Sequence, residues 1–501
     1  MSKNLLRVLE DNLPLRAEKP AIYSGNDFDT FGDIDRKASA IAGAFTERGL
    51  EPGEKVGIHL SNVPEFVYTY FGILKAGCQV VPINVMLKPE ELAFLAEDSH
   101  IRLVVSQAPF VDVVTKVKDR IPALKEVFCT GKAPVGTTPF DVLIYHEPVS
   151  KSIQRAPNDV AVIFYTSGTT GKPKGAMLTH GNLHANAIAT AEAYQYVERD
   201  LIIFGMPLFH SSGQTNVMNA AFSQGASIIM MPRFSVEEVL KKAKEYPVSV
   251  FIGVPTMYHQ ILKHPDADAL KRESLRVLIV GAAPMPEALF KAVSYRYDIP
   301  ISEGYGLSEA GPVVAHNPID GTKKMGSVGL PISDILVKVV APDGNDLPQG
   351  QVGELLVKGP NVMAGYLNQP EATQAALEGG WLHTGDLAKI DKDGYIFIVD
   401  RKKDMILTGG FNLYPREIEE MLHMHPAVSE AAVVGIPDEE KGELAVGFII
   451  LEKGHEVSEK EIIGYCRERM AVYKAPRKVS FVEELPRNPS GKILKRLLRD
   501  Q

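Results

Sequence analysis

Apolar residues in the first four hundred positions gather in short runs, AVIFY at 161–165, VSVFIG at 248–253 and RVLIVG at 276–281, with helically spaced stretches between them. Runs of this length, rich in β-branched and aromatic residues, predict buried strands. Their alternation with helices predicts an α/β fold with largely parallel sheet. The polar, proline-bearing interval 145–158 (YHEPVSKSIQRAPN) reads as a connection between two subdomains. Past VDRKKD at 399–404 the texture changes. A helix is predicted with Pro415 in its first turn and Ile418, Met421 and Leu422 on one face, followed by two strand-like apolar runs. A second helix opens at Ser458, where Glu461 completes a capping box. The pattern divides the chain into a large α/β part of several subdomains, residues 1–400, and a small α+β domain, residues 401–501.

Length agrees with this division, because 501 residues exceed what one core usually supports. A net charge of −8 argues against a general nucleic-acid binder, which needs a broad basic surface, but leaves small anionic ligands open. The first segment is broken by Arg7, Glu10 and Asp11 and lacks the apolar core of a signal peptide. No run is long enough to span a bilayer, so a cytoplasmic protein is the default expectation. Three widely spaced cysteines, Cys78, Cys129 and Cys466, predict neither a disulfide framework nor a zinc site.

The densest chemistry lies in Tyr165-Thr166-Ser167-Gly168-Thr169-Thr170-Gly171-Lys172-Pro173-Lys174-Gly175, directly after an apolar strand. Glycines let backbone N–H groups approach a phosphate, hydroxyls add donors and lysines add charge. A Walker loop would need Ser or Thr where Pro173 stands and Gly where Thr166 stands, so a P-loop NTPase is excluded. A lone Gly/Ser/Thr stretch would be a surface turn; this combination is built to hold polyphosphate.

This stretch resembles the hallmark loop of the adenylate-forming superfamily of acyl-CoA synthetases, luciferases and adenylation domains, and further motifs follow in that family's order. The resemblance implies ATP, Mg2+ and coenzyme A as cofactors, with Thr166, Ser167, Gly168, Thr169, Thr170, Gly171 and Lys174 around the phosphates. In Ser302-Glu303-Gly304-Tyr305-Gly306-Leu307-Ser308-Glu309 it implies Tyr305 stacked on adenine, Glu309 with Thr166 on magnesium, and Ala282, Glu303, Gly304 and Gly306 beside the nucleotide. Asp386 and Arg401 correspond to the ribose clamp, although Gly385-Asp386 alone would read as a turn. Lys492, which alone would be a solvated tail lysine, corresponds to the lysine that neutralises charge during adenylation. Gly410 corresponds to the loop beside the pantetheine tunnel, and Lys403 to the hinge about which the small, mobile C-terminal domain rotates.

The reaction implied is attack of a carboxylate on the α-phosphorus of ATP, loss of pyrophosphate, and transfer of the acyl group to coenzyme A. By the same correspondence the acid lies among His210, Ser212, Gln214, Asn216, Ala282, Gly304, Gly306, Pro312 and Val313. His210 is expected beside the reacting carboxylate. A small Ser212, where aromatic-acid ligases often carry a ring, favours a medium- or long-chain fatty acid; GYGLSEAGPV is equally typical of the 4-coumarate branch. An aromatic-acid ligase and a stand-alone enzyme loading a carrier protein are the alternatives. Monomer or homodimer, and a peripheral contact with membranes, are left open.

Overall fold

The structure is a computed structural model that describes residues 4–166, 173–408, 411–438, 441–487 and 493–499. Its larger part holds two parallel-rich sheets. One has eight strands, in which Gln79–Pro82, Lys55–His59, Ile101–Gln107 and Glu126–Thr130 run parallel and Val160–Thr166 joins parallel to Gln79–Pro82. The other has nine, with Pro20–Ser24, Ser227–Met230, Leu201–Phe204, Val250–Gly253, Val277–Val280 and Ile301–Gly306 parallel in succession. The central strands are buried throughout, which is why they read as unbroken apolar runs.

Helices Phe31–Glu47, Pro64–Lys75 and His180–Ala193 belong to the core shared by the two sheets. The first and third open on capping boxes, Thr30 with Asp33 and Thr179 with Asn182, each satisfying otherwise orphaned N–H groups. Phe31 and Phe71 both pack against the ring of Phe222. Gly72 has no side chain because a Cβ there would press on Ile41 of the facing helix.

One expectation needs correction. Interval 145–158 has no strand or helix, but it does not join two subdomains: it follows helix Asp141–Ile144, which comes after strand Thr138–Pro139, and leads to Val160–Thr166 of the same sheet. On the way it is pinned to the helical core by hydrogen bonds from Val149 N to Ser39 O and from Ile153 N to Lys75 O. The large part also contains a wholly antiparallel four-stranded sheet, made by Leu336–Val340, Gly353–Lys358, Leu382–Ile390 and Ile396–Arg401. No helix-length crossover separates the last two of these strands, so they pair antiparallel.

The C-terminal part is an α+β unit of its own. Long strands Val428–Asp438 and Gly442–Leu451 pair antiparallel, and helices Pro415–His423 and Glu459–Arg469 contribute Ile418, Leu422, Ile462 and Cys466 to one core. Pro415 stands at the start of its helix, and Ser458 with Glu461 forms the predicted capping box.

Candidate active site

The hydroxyl-rich segment joins two paired strands. Val160–Thr166 and Lys174–Thr179 are antiparallel, with Tyr165 opposite Gly175 and Thr166 opposite Lys174, so both ends of the segment are held by sheet. Ser167, Gly168, Thr169, Thr170 and Gly171 lie outside the described residues. Beside the hairpin, Thr166 donates its hydroxyl to Glu309 Oε1 at 3.2 Å and Tyr366 donates to the same oxygen at 3.1 Å. Lys174 Nζ sits 5.1 Å from the centre of the Tyr366 ring, leaving its charge at the mouth of the hairpin. Oxygen donors around a carboxylate suit a hard cation. Among the described residues no group of three His, Cys, Asp or Glu gathers, so a divalent ion here would take its remaining ligands from bound phosphate and water.

A second cluster adjoins it. Tyr305 donates its hydroxyl to Asp386 Oδ2 at 2.6 Å, and Arg401 Nε lies 3.2 Å from Oδ1. Asp386 and Arg401 face one another across paired strands, so sheet register brings together two residues fifteen apart in the chain. Each carboxylate oxygen keeps further acceptor capacity for a ligand hydroxyl. Next to Tyr305, Glu303 is only 5% exposed and accepts the Met285 N–H at 3.2 Å, and burial pushes its carboxyl up to about 7. That bond tethers the loop carrying Ala282, which has a φ of +66°, a conformation an L-residue keeps only when its surroundings impose it.

The third group surrounds a segment that sequence spacing did not reveal. Ser212–Asn219 is a π-helix, a form that recurs at functional sites, and His210 precedes it. His210 Nδ1 lies 3.4 Å from Ser212 N, and Ser211 Oγ is 3.0 Å from Ser308 Oγ, which ties the π-helix to the Tyr305 segment. Gln214 is fully buried and Asn216 nearly so. Asn216 lies near the buried Tyr194 hydroxyl, and that hydroxyl would lie 3.0 Å from a Cβ at Gly304. A Cβ at Gly306 would run into the Pro312 carbonyl, so this glycine is required by close backbone approach. Pro312 and Val313 are buried, and Asn186 clamps Val313 by accepting from its N–H and donating to its carbonyl.

Comparison with known proteins decides what this arrangement belongs to. Residues 9–367 match the AMP-binding enzyme family and residues 417–492 its C-terminal domain. The chain belongs to the adenylate-forming AMP-binding enzymes. It is 35% identical to a long-chain-fatty-acid–CoA ligase of Bacillus subtilis, over all of this chain and 95% of that one. It is 33% identical to a 4-coumarate–CoA ligase of Humulus lupulus, over 98% of this chain and 92% of that one. ATP-bound MatB from Rhodopseudomonas palustris superposes with a TM-score of 0.93 at 32% identity, covering 100% of this chain and 99% of that one. As a member of this family the chain is an AMP-forming acid–thiol ligase.

In this ligase Lys403 lies in a tight turn, where Asp404 N and Met405 N both donate to Arg401 O and Lys402 N donates to Gly385 O. Lys492 and Gly410 lie outside the described residues. Tyr366, Tyr194 and Asn186 were missed from sequence. Tyr366 belongs to a lone Gly-Tyr pair with no strand-length pattern; Asn186 acts through Val313, 127 residues away, and Tyr194 through Asn216 and Gly304. No helix among the described residues is long and apolar enough to cross a membrane.

Proposed function

We propose that the enzyme activates a medium- or long-chain fatty acid with ATP and transfers it to coenzyme A. The observation that carries the adenylating step is the convergence of Thr166, Glu309 and Tyr366 at the hairpin mouth with Tyr305, Asp386 and Arg401 alongside. The hairpin from Thr166 to Lys174, including Ser167, Gly168, Thr169, Thr170 and Gly171, holds the phosphates, and Asp386 with Arg401 holds the ribose. Tyr305 stacks on the base, beside Ala282, Glu303, Gly304 and Gly306. A magnesium ion on Glu309 and Thr166 would neutralise the departing pyrophosphate. Positioning and charge neutralisation, with Lys492 as the electrostatic group, lower the barrier without an enzyme nucleophile. His210 orients the incoming carboxylate, and Gly410 flanks the path of the coenzyme A thiol.

The acid lies against Ser212, Gln214, Asn216, Pro312 and Val313. Support for a fatty acid comes from the small Ser212, from Gly281, where a Cβ would have nothing closer than the Gly304 carbonyl at 3.9 Å, and from the B. subtilis relative's name. One observation favours an aromatic acid instead: the Asn216–Tyr194 pair puts polar groups behind Gly304, where a phenol could find a partner. Residues 1–400 and 401–501 act as two domains pivoting at Lys403, so that one site serves adenylation and then thioester formation. Pyrophosphate release and thioester formation across acetate, straight-chain, branched and aromatic acids test the reading. Turnover highest on C8 to C18 acids supports it, and preference for 4-coumarate or ferulate replaces it with the aromatic one.

A further inference from the structure

Helix Pro415–His423 begins without a cap of its own. Tyr414, at its N-cap, makes no side-chain hydrogen bond to the first turn, and Pro415 has no N–H to offer. The next donor, Arg416 N–H, is taken by Asp400 Oδ2 at 2.9 Å. Asp400 comes from elsewhere: it lies in strand Ile396–Arg401, opposite Leu387, in the four-stranded sheet. Its other oxygen accepts from Arg401 N at 2.7 Å, and it is only 8% exposed. Beside it, Arg416 Nη1 donates to Ile398 O at 2.6 Å, a second bond from the same helix to the same strand. Lys495, paired with Glu419 at 2.8 Å, adds positive charge near Asp400.

A carboxylate at a helix N-terminus is favourable both as a hydrogen-bond acceptor and against the helix dipole. Here donor and acceptor stand on opposite sides of Arg401–Asp404. Any rotation about that turn must separate Asp400 from Arg416 N–H and Ile398 O from the guanidinium together. A helix capped from across a pivot is therefore at its best in one domain orientation only.

We propose that Asp400, with Arg416, is a positioning latch that stabilises one orientation of the C-terminal domain and so sets the balance between the two half-reactions. The latch rests on the two-step reading above. It touches no substrate, and it acts by shifting the population of one domain orientation against the other.

The full-length enzyme with Asp400→Asn tests it, the substitution being close to isosteric and keeping a weaker acceptor. Arg416→Met removes the Ile398 bond while leaving the backbone donor. Each variant is assayed for acid-dependent ATP–pyrophosphate exchange and for single-turnover thioester formation from preformed acyl-adenylate and coenzyme A. The expected result is a change of about tenfold in the ratio of the two rates, in the same direction for both variants, the size of a lost N-cap. An unchanged ratio, or equal loss of both rates with a lowered melting temperature, overturns the latch and leaves Asp400 a structural cap. Wild-type enzyme that exchanges pyrophosphate but makes no thioester overturns the two-step reading itself, and the latch with it.

Discussion

Asp386 is held from two sides, by a neutral phenol and by a guanidinium, and so stays in place with lone pairs still free. Asp386→Ala should therefore weaken ATP binding by about 1.5–3 kcal/mol, the worth of a charged hydrogen bond, as read by titration calorimetry. Unchanged affinity would make Asp386 a structural strand residue only. Lys492 is proposed from its correspondence to the family's adenylation lysine: Lys492→Ala should slow pyrophosphate release roughly 100- to 1,000-fold while coenzyme A attack on supplied acyl-adenylate survives. Normal pyrophosphate release would remove Lys492 from the mechanism. Glu303 gives a pH prediction. Burial raises its carboxyl from 4.5 to about 7, so the folded chain keeps a proton that the unfolded chain releases. Stability is lost as pH rises through that window, by on the order of 3 kcal/mol at most, and is level above it. Buried His59 and His180 and half-buried His316, each pushed down to about 4 by desolvation, act in the opposite sense, losing stability as pH falls below 6.5. Melting temperatures of wild type and Glu303→Gln compared from pH 5 to 8 separate the two: the variant should gain on wild type as pH rises to about 7. Parallel curves would count against a buried, titrating Glu303.

At the scale of elements, the candidate site is assembled from strands of three sheets. Ile301–Gly306 delivers Glu303, Gly304, Tyr305 and Gly306 from one sheet, the hairpin Thr166 to Lys174 comes from another, and Leu382–Ile390 brings Asp386 from a third. The π-helix Ser212–Asn219 is tied to the Tyr305 segment through Ser211 and Ser308. Its first residue, Ser212, is partly exposed and small. Ser212→Tyr should depress activity on long acids more than on short ones, because a ring occupies space the chain would fill. A chain-length profile identical to wild type would place Ser212 outside the acyl path. The strands were legible in the sequence because burial on both faces leaves unbroken apolar runs. The π-helix was not: its polar SGQTN start has no apolar period, and only the packing around it selects the wider turn.

For the whole molecule, the proposed function asks one site to run two reactions with Lys492 and the loop of Gly410, both assigned to the same small domain. Proline at position 403 would lock φ and remove a donor without touching a ligand. Lys403→Pro should still form acyl-adenylate and pyrophosphate in a single turnover, yet make the thioester far more slowly. Equal loss of both steps, or of neither, would put the pivot elsewhere.

Sequence alone determined the α/β class, the change of texture near Asp400, the glycine- and hydroxyl-rich segment after the strand at 160–166 and the order of the motifs, because each is local: a run of apolar residues, a capping pair, a cluster of glycines and hydroxyls within eleven positions. Tertiary structure decided what meets what. Sheet register set Arg401 opposite Asp386, and antiparallel pairing put Thr166 against Lys174. Folding of distant segments brought Tyr366 to Glu309 and laid Asp400 over the bare start of a helix. Those contacts depend on strand order and domain placement, which no window of the sequence contains, and they carry the site's geometry.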